Sequence, residues 1–189
     1  MITIEDLERT LDTQRPTVLF IDGRSGAGKT SLAERLAAQT NAQVLHLDDL
    51  YPGWQGLARG SAGVARALDQ GRFHPYDWHA GKVARHAFKL GDDPLIIEGC
   101  GSLTQNNLRA AEAWAEALTS QTDATTSQVS CTLVLGVWCE ASEEVRKARA
   151  FARDLNFTVD RWNEWAAQEN EHFATHLPWQ LAQHTVEIE

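Results

Sequence analysis

The octapeptide Gly23-Arg-Ser-Gly-Ala-Gly-Lys29-Thr30 constrains this chain more than any other stretch, because it satisfies G-x-x-x-x-G-K-[ST] at every defined position. Upstream, Val18-Leu-Phe-Ile21 is a short continuous apolar run, which reads as a buried parallel strand. Downstream, Ser31–Gln39 is rich in helix formers, with Leu32, Ala33 and Leu36 as its apolar positions. Glycines at 23, 26 and 28 accept backbone angles that other residues resist, so successive amides from Ser25 through Ala27 to Ser31 can curl around an anion. The helix that follows adds the positive end of its dipole and its unpaired first-turn amides. Lys29 then reaches outer phosphates, and the Thr30 hydroxyl is placed to ligate magnesium. The plainer reading, a Gly-rich turn ahead of a helix, leaves the agreement of pattern and context unexplained. The stretch implies a bound nucleoside triphosphate.

At 189 residues the chain is sized for one domain with a substantial core. A formal charge of −9 argues against a general nucleic-acid binder, which needs a basic face to neutralise phosphates. It leaves room for a small anion held in one locally positive site. Cys100, Cys131 and Cys139 are an odd count without C-x-x-C, so reduced thiols are expected rather than a disulfide framework or a zinc site. No apolar run is long enough for a bilayer, and the amphipathic, acidic N-terminus is unlike a signal peptide, so a soluble cytoplasmic protein is expected.

The chain alternates strands and helices. A short helix is expected over 4–13, and strands over 18–21, 42–47, 94–98 and 131–138, with a last strand over 184–188. Helices are expected over 31–39, 108–118, 142–154 and 159–175, the one at 142 opening on Ser142-Glu-Glu144. Residues 55–91 read as short helical pieces, such as 64–69, interrupted by glycines. Residues 120–130 read as a mobile Thr/Ser/Gln loop. This alternation implies a parallel sheet with helices on both faces, whose ligands sit at the carboxyl ends of the strands.

Two carboxylates end apolar strands at that rim, Asp48 and Glu98. A magnesium-nucleotide site needs hard oxygen ligands, and a transfer to a hydroxyl needs an acceptor for its proton. Asp48 is assigned to the hydroxyl and Glu98 to magnesium through water, although a turn cap for Asp48 or an ion pair for Glu98 would also suit those positions. Arg146, Arg149 and Arg153 fall on one face of a helix. Arginines on a closing flap stabilise charge on a transferred phosphoryl group, and Arg149 and Arg153 are the preferred pair. The alternative is a solvated face paired with Glu143, Glu144 and Asp154.

Four stretches in this order resemble the uridine kinase and nucleoside kinase-like group of P-loop phosphotransferases. They are Asp22–Thr30, Asp48-Asp-Leu-Tyr51, Leu95-Ile-Ile-Glu-Gly99 and Arg146-x-x-Arg149-x-x-x-Arg153-Asp154. The resemblance implies the P-loop NTPase fold with a helical lid (about 142–160) and an acceptor-binding segment (about 50–91) in a single kinase domain. It implies ATP and Mg2+, with Asp48 as the catalytic acid-base and Glu98 near the metal. Tyr51 becomes an aromatic partner in the acceptor site, and Arg149 and Arg153 become lid arginines. The segment Gly71–Trp78 is similar to a family stretch lining the nucleoside pocket, which marks Tyr76, Asp77 and the nearby His79 as acceptor-pocket residues. The implied partners are ATP and a small-molecule acceptor, without nucleic acid or membrane, and the resemblance leaves room for a homodimer.

The departures fall where the substrate is chosen. Uridine kinases carry a second acidic segment for the ribose hydroxyls, whereas Gln55–Gln70 here holds only Asp69. His79 is off the family spacing, and Pro75 stands directly before Tyr76. Kinase chemistry on a hydroxyl is implied; a uridine or cytidine acceptor is not. His74, His79, Trp54 and Trp78 are further candidates for that pocket, while Trp114, Trp138, Trp162 and Trp165 read as packing residues. The chain lacks a guanine-reading Asn-Lys-x-Asp and a Leu-Ser-Gly-Gly-like signature. Kinases of shikimate, gluconate or nucleoside monophosphates share the architecture, and a nucleotide-dependent binding module is the rival of another class.

Overall fold

The protein is described by a computed structural model that covers residues 1–122, 133–153 and 158–188. In chain order it forms α1 (Ile4–Gln14), β1 (Val18–Gly23), α2 (Lys29–Thr40), β2 (Gln43–His46), α3 (Leu57–Gln70) and four two-residue strands. Those are β3 (Arg72–Phe73), β4 (Tyr76–Asp77), β5 (Lys82–Val83) and β6 (Phe88–Lys89). Then come β7 (Leu95–Glu98), α4 (Gln105–Thr122), β8 (Val134–Glu140), α5 (Glu143–Arg153), α6 (Val159–His176), α7 (Pro178–Leu181) and β9 (His184–Glu187).

The main sheet has the order β2-β7-β1-β8-β9, with every pairing parallel. β1 is buried at all six positions, as its apolar run requires at the centre of a covered sheet. Alternate side chains divide between two layers. Val18 and Phe20 join Leu45, Leu95 and Ile97 in a cluster with Val64 and Leu68 of α3, Ala111 and Ala115 of α4, and Phe173 of α6. Leu19 and Ile21 join Ile96, Leu135 and Val137 in a second cluster with Leu7 and Leu11 of α1 and Leu32, Ala33 and Leu36 of α2. In register, Glu98 of β7 stands beside Ile21 on one side and His46 on the other. The strands therefore deliver Asp22, Glu98 and the turn after His46 to one rim.

Several sequence expectations change. The interrupted pieces expected within 55–91 include one continuous helix, α3, which runs through Gly60 and Gly63. The reason is packing: a Cβ at Gly60 would come within 2.3 Å of the Tyr51 ring, so glycine lets the helix lie directly on that ring. The strand expected from Cys131 begins at Val134, and Cys131 lies outside the described residues, as does Asp154. The loop expected over 120–130 begins with the last turn of α4; its remainder, from 123, lies outside them too. Cys100 and Cys139 are buried free thiols, and among the described residues no helix is long and apolar enough to cross a membrane.

Candidate active site

The phosphate loop leaves β1 at Gly23 and enters α2 at Lys29, with Gly28 as the cap in a left-handed conformation. It is held from behind by groups far away in sequence. The Asp22 carboxylate accepts the amides of Gly23 at 2.7 Å, Gly101 at 2.9 Å and Leu103 at 2.8 Å. Burial pushes this carboxyl up to about 7, with those three amides pulling against the shift. Gly26 has φ +80, and a Cβ there would meet the Arg146 carbonyl oxygen at 2.2 Å, so loop and α5 touch backbone to backbone. The Ser25 amide donates to Glu169 Oε1 at 2.6 Å, Arg24 Nη1 to Glu169 Oε2 at 3.3 Å, and the Ala27 amide to the Arg24 carbonyl at 3.1 Å.

Lys29 is buried and donates from Nζ to the Arg24 carbonyl at 2.9 Å and to Cys100 Sγ at 3.4 Å. Burial works against its charge, but Cys100, Glu98, Glu169 and Asp22 outweigh it and hold the ammonium's pKa above the ordinary value. Thr30 Oγ1 donates to Glu98 Oε1 at 3.2 Å, and His46 Nδ1 lies 2.6 Å from that same oxygen. The hydrogen bond to Glu98 is the main reason His46 is shifted upward. A hydroxyl and a carboxylate in contact are hard oxygen donors of the kind that accompany nucleotide-bound magnesium, which takes only one or two protein ligands. Thr30 and Glu98 thus fit the metal expected from sequence, although no denser cluster of metal-ligating side chains occurs among the described residues.

One cavity of about 980 Å³ collects most of the residues singled out from sequence. Its lining includes Ser25, Gly26, Gly28, Lys29, Thr30 and Ser31 from the phosphate side, with Glu98 beside Thr30, and Asp48, Tyr51 and His79 beyond. Gly23 and Ala27 stand outside that lining, and Ala27 is fully buried in the layer under α2. Asp48 sits in a one-turn 3-10 segment, Leu47–Asp49, and opens into the cavity. The surrounding protein mass and then the Glu98 charge push its carboxyl up, against Arg153, Lys29 and His46.

The arginine face of α5 splits in two. Arg146 is buried, donating to the Ala141 carbonyl at 3.3 Å and the Ser25 carbonyl at 3.2 Å beneath the Trp162 ring, and so serves as an anchor. Arg149 and Arg153 line the cavity, and Arg149 donates to the Ile188 carbonyl at 3.1 Å. The described part of the expected lid is thus α5, packed directly on the phosphate loop, together with the first turn of α6 from Thr158.

On the acceptor side, two expectations are corrected. Asp77 is exposed and accepts the amides of His79 at 3.0 Å and Ala80 at 2.8 Å. It shapes the turn between β4 and β5 rather than lining the cavity. Tyr76 also stands outside the lining, edge-on against Trp78. His74 is likewise directed elsewhere, its Nδ1 lying 3.2 Å from the Ala84 carbonyl. Glu169, which clamps the phosphate loop, escaped the sequence reading, and Trp165, read from sequence as a packing residue, is buried in the core and also lines the cavity. The signal for Glu169 was present in the buried spacing Trp162, Trp165, Glu169, His172 along α6, where an acid stands on the apolar face.

A parallel sheet in this order, a phosphate loop at its rim and a cavity between loop and acid define a nucleotide-binding P-loop protein of the kinase-like type. Residues 18–170 match the model of the AAA domain family AAA_33, and the chain belongs to that family. Among solved structures, a possible uridine kinase from Bacillus stearothermophilus aligns with TM-score 0.56 and 18% identity, over 97% of this chain and 96% of that one. The shikimate kinase from Acinetobacter baumannii, in complex with shikimate, aligns with TM-score 0.52 and 13% identity, over 96% and 88%. At such identities the likeness is one of fold. No curated protein matches the chain.

Proposed function

We propose that this chain is an ATP-dependent phosphotransferase that phosphorylates a hydroxyl of a small molecule, of nucleoside-like or sugar-like size. The carrying observation is that a phosphate loop and an acid with an upward-shifted pKa share one cavity. In this reading residues 1–189 work as a single kinase domain, with 50–91 receiving the acceptor and 142–160 closing over the donor.

Amides of the loop and the Lys29 ammonium hold the polyphosphate, and Thr30 with Glu98 would hold magnesium, which supplies further neutralisation of phosphate charge when bound. The bond between the γ-phosphorus and its bridging oxygen breaks, leaving the electron pair on ADP. A new bond forms from the acceptor oxygen to that phosphorus, and the hydroxyl proton passes to the Asp48 carboxylate. Arg149 and Arg153 offset charge on the transferred group once Arg149 leaves the Ile188 carbonyl.

Asp48→Asn tests the reading. Phosphotransfer is expected to fall on the order of 10²–10⁴-fold, while Mg-ATP affinity measured by calorimetry changes little. Because Asp48 must be ionised to accept a proton and its pKa is raised, wild-type turnover should climb with pH over a range above that of an ordinary carboxylate, a climb the variant lacks. Wild-type rates in Asp48→Asn would sink the assignment and favour a nucleotide-dependent binding module.

A further inference from the structure

The acceptor half of the cavity is walled by aromatic rings in an unbroken series. Tyr51 meets Trp165 edge to face with centroids 4.9 Å apart, and Trp165 meets Trp54 at 6.3 Å. Trp54 meets Trp78 at 5.3 Å, and Tyr76 supports Trp78 from behind, also at 5.3 Å. Tyr51, Trp54, Trp78 and Trp165 all contribute to the cavity lining. The series starts in the core, where Tyr51 is 1% exposed, and ends on the β4–β5 hairpin, where Trp78 is 38% exposed. Core packing accounts for the first ring but not for an indole left open at the cavity mouth.

Hydrogen bonds tie the wall to the acid and to α6. Trp78 Nε1 donates to the Asp48 carbonyl at 2.9 Å. Gln168 Nε2 donates to the Trp54 carbonyl at 2.7 Å, and Gln168 Oε1 accepts the Leu57 amide at 3.3 Å.

Charge divides the same cavity. Its lining cations Lys29, Arg149 and Arg153 belong to the phosphate loop and α5. The ring side carries Asp48 and His79 and, among the described lining residues, neither lysine nor arginine. Arg161 does stack 5.3 Å over the Trp54 ring, but it is paired with Glu164 and stands outside the lining. Arg153 and Lys29 act on Asp48 from the phosphate side, but an acceptor bearing a carboxylate or phosphate beside this wall would face Asp48 with no cation on the wall itself, and like charges at short range are unfavourable. The other lining acids sit on the Thr30 side: Glu98 accepts from Thr30, and Glu34 follows it by one turn of α2. That leaves, among the described lining residues, no second acid on the ring side to hold a pair of adjacent hydroxyls.

Resting on the kinase reading above, we propose that the acceptor is an uncharged alcohol carried on a flat ring. The ring lies against the Trp54–Trp78–Trp165 wall and presents its hydroxyl to Asp48; anionic acceptors are turned away. A ring meeting such a wall gains from apolar burial and from edge or offset contacts.

Calorimetry in two stages tests this. Mg-AMP-PNP is titrated first; if it does not bind, the kinase reading itself fails, whatever the acceptor. Protein saturated with Mg-AMP-PNP is then titrated with uncharged ring alcohols (thymidine, pyridoxine, 4-hydroxybenzyl alcohol) and with shikimate, gluconate and CMP as anions. At least one uncharged ring should bind with a change in tryptophan fluorescence, and more tightly than every anion. Trp78→Leu should weaken that binding at least tenfold, whereas Trp78→Phe, which keeps a flat ring, should recover most of it. The inference is overturned if the nucleotide analogue binds but no uncharged ring does, or if an anion binds more tightly than all of them. It is equally overturned if leucine and phenylalanine at 78 are equivalent.

Discussion

The two rims of the cavity are built by different means. On the phosphate rim, backbone carries the geometry and distant groups immobilise it: Asp22 accepts three amides, Glu169 takes the Ser25 amide, and Arg146 presses its own carbonyl against Gly26. On the acceptor rim, side chains carry the geometry. The hairpin holding Trp78 and His79 is a ladder of two residues per strand, Tyr76–Asp77 against Lys82–Val83, and much of it is exposed. Such a short ladder opens at low cost. A polyphosphate is the same for every reaction of this kind, so its cradle can be rigid. An acceptor is chosen by shape and charge, which exchangeable rings on a light hairpin can supply.

The largest effect should come from removing the charged loop side chain that lines the cavity. Lys29 is buried with its pKa held up, so it is ammonium at any working pH. Lys29→Ala should weaken Mg-ATP binding on the order of a hundredfold or more, read by calorimetry. If that variant bound Mg-ATP like wild type, the idea that the phosphate rim does the holding would be broken.

A smaller effect should follow from loosening the clamp behind the loop. Glu169→Ala leaves the half-buried Ser25 amide without its acceptor, a loss of about 1 kcal/mol, and Mg-ATP affinity should fall about tenfold. Glu169→Gln keeps an oxygen in place and should restore most of the affinity. Equal losses in both would mean that Glu169 acts through its charge on Lys29 rather than by positioning Ser25.

This division also decides what could be read from the chain alone. The continuous apolar runs at Val18–Ile21 and Leu95–Ile97, the glycine spacing and the acids after each strand are local signals, and the structure places Lys29, Thr30, Asp48 and Glu98 around one cavity. Glu169 and Trp165 act on residues more than a hundred positions away, and no local pattern says where the apolar face of α6 will land. Asp77 misled because an acid directly before a glycine-containing turn satisfies the turn's amides, whatever motif surrounds it. The unbroken α3 was hidden because Gly60 lowers helix propensity, while its reason, contact with the Tyr51 ring, is tertiary.

The remaining expected effect, on stability rather than ligand affinity, concerns the helix that braces both rims. His172 of α6 is 6% exposed, lies 4.3 Å from His176 ring to ring, and has a buried Nε2 without a hydrogen-bond partner. Burial, and then His176, lowers its pKa from the ordinary value of 6.5 to about 4. Between those values the unfolded chain holds a proton that the folded chain refuses, so His172's contribution is intact above pH 6.5 and is lost as pH falls toward 4. At pH 5 the loss amounts to about 2 kcal/mol. Asp22 runs the other way: its carboxyl is pushed up to about 7, so the stability it contributes is greatest in acid and wanes as pH rises toward that value. A comparison of wild type with His172→Leu cancels Asp22, which both proteins carry. Unfolding in urea at pH 7 and pH 5 should therefore find the gap between them shifted in the variant's favour by about 2 kcal/mol at the lower pH. A gap independent of pH would show that His172 is charged, or open to water, in the folded protein, and that α6 braces the phosphate rim less rigidly than its packing suggests.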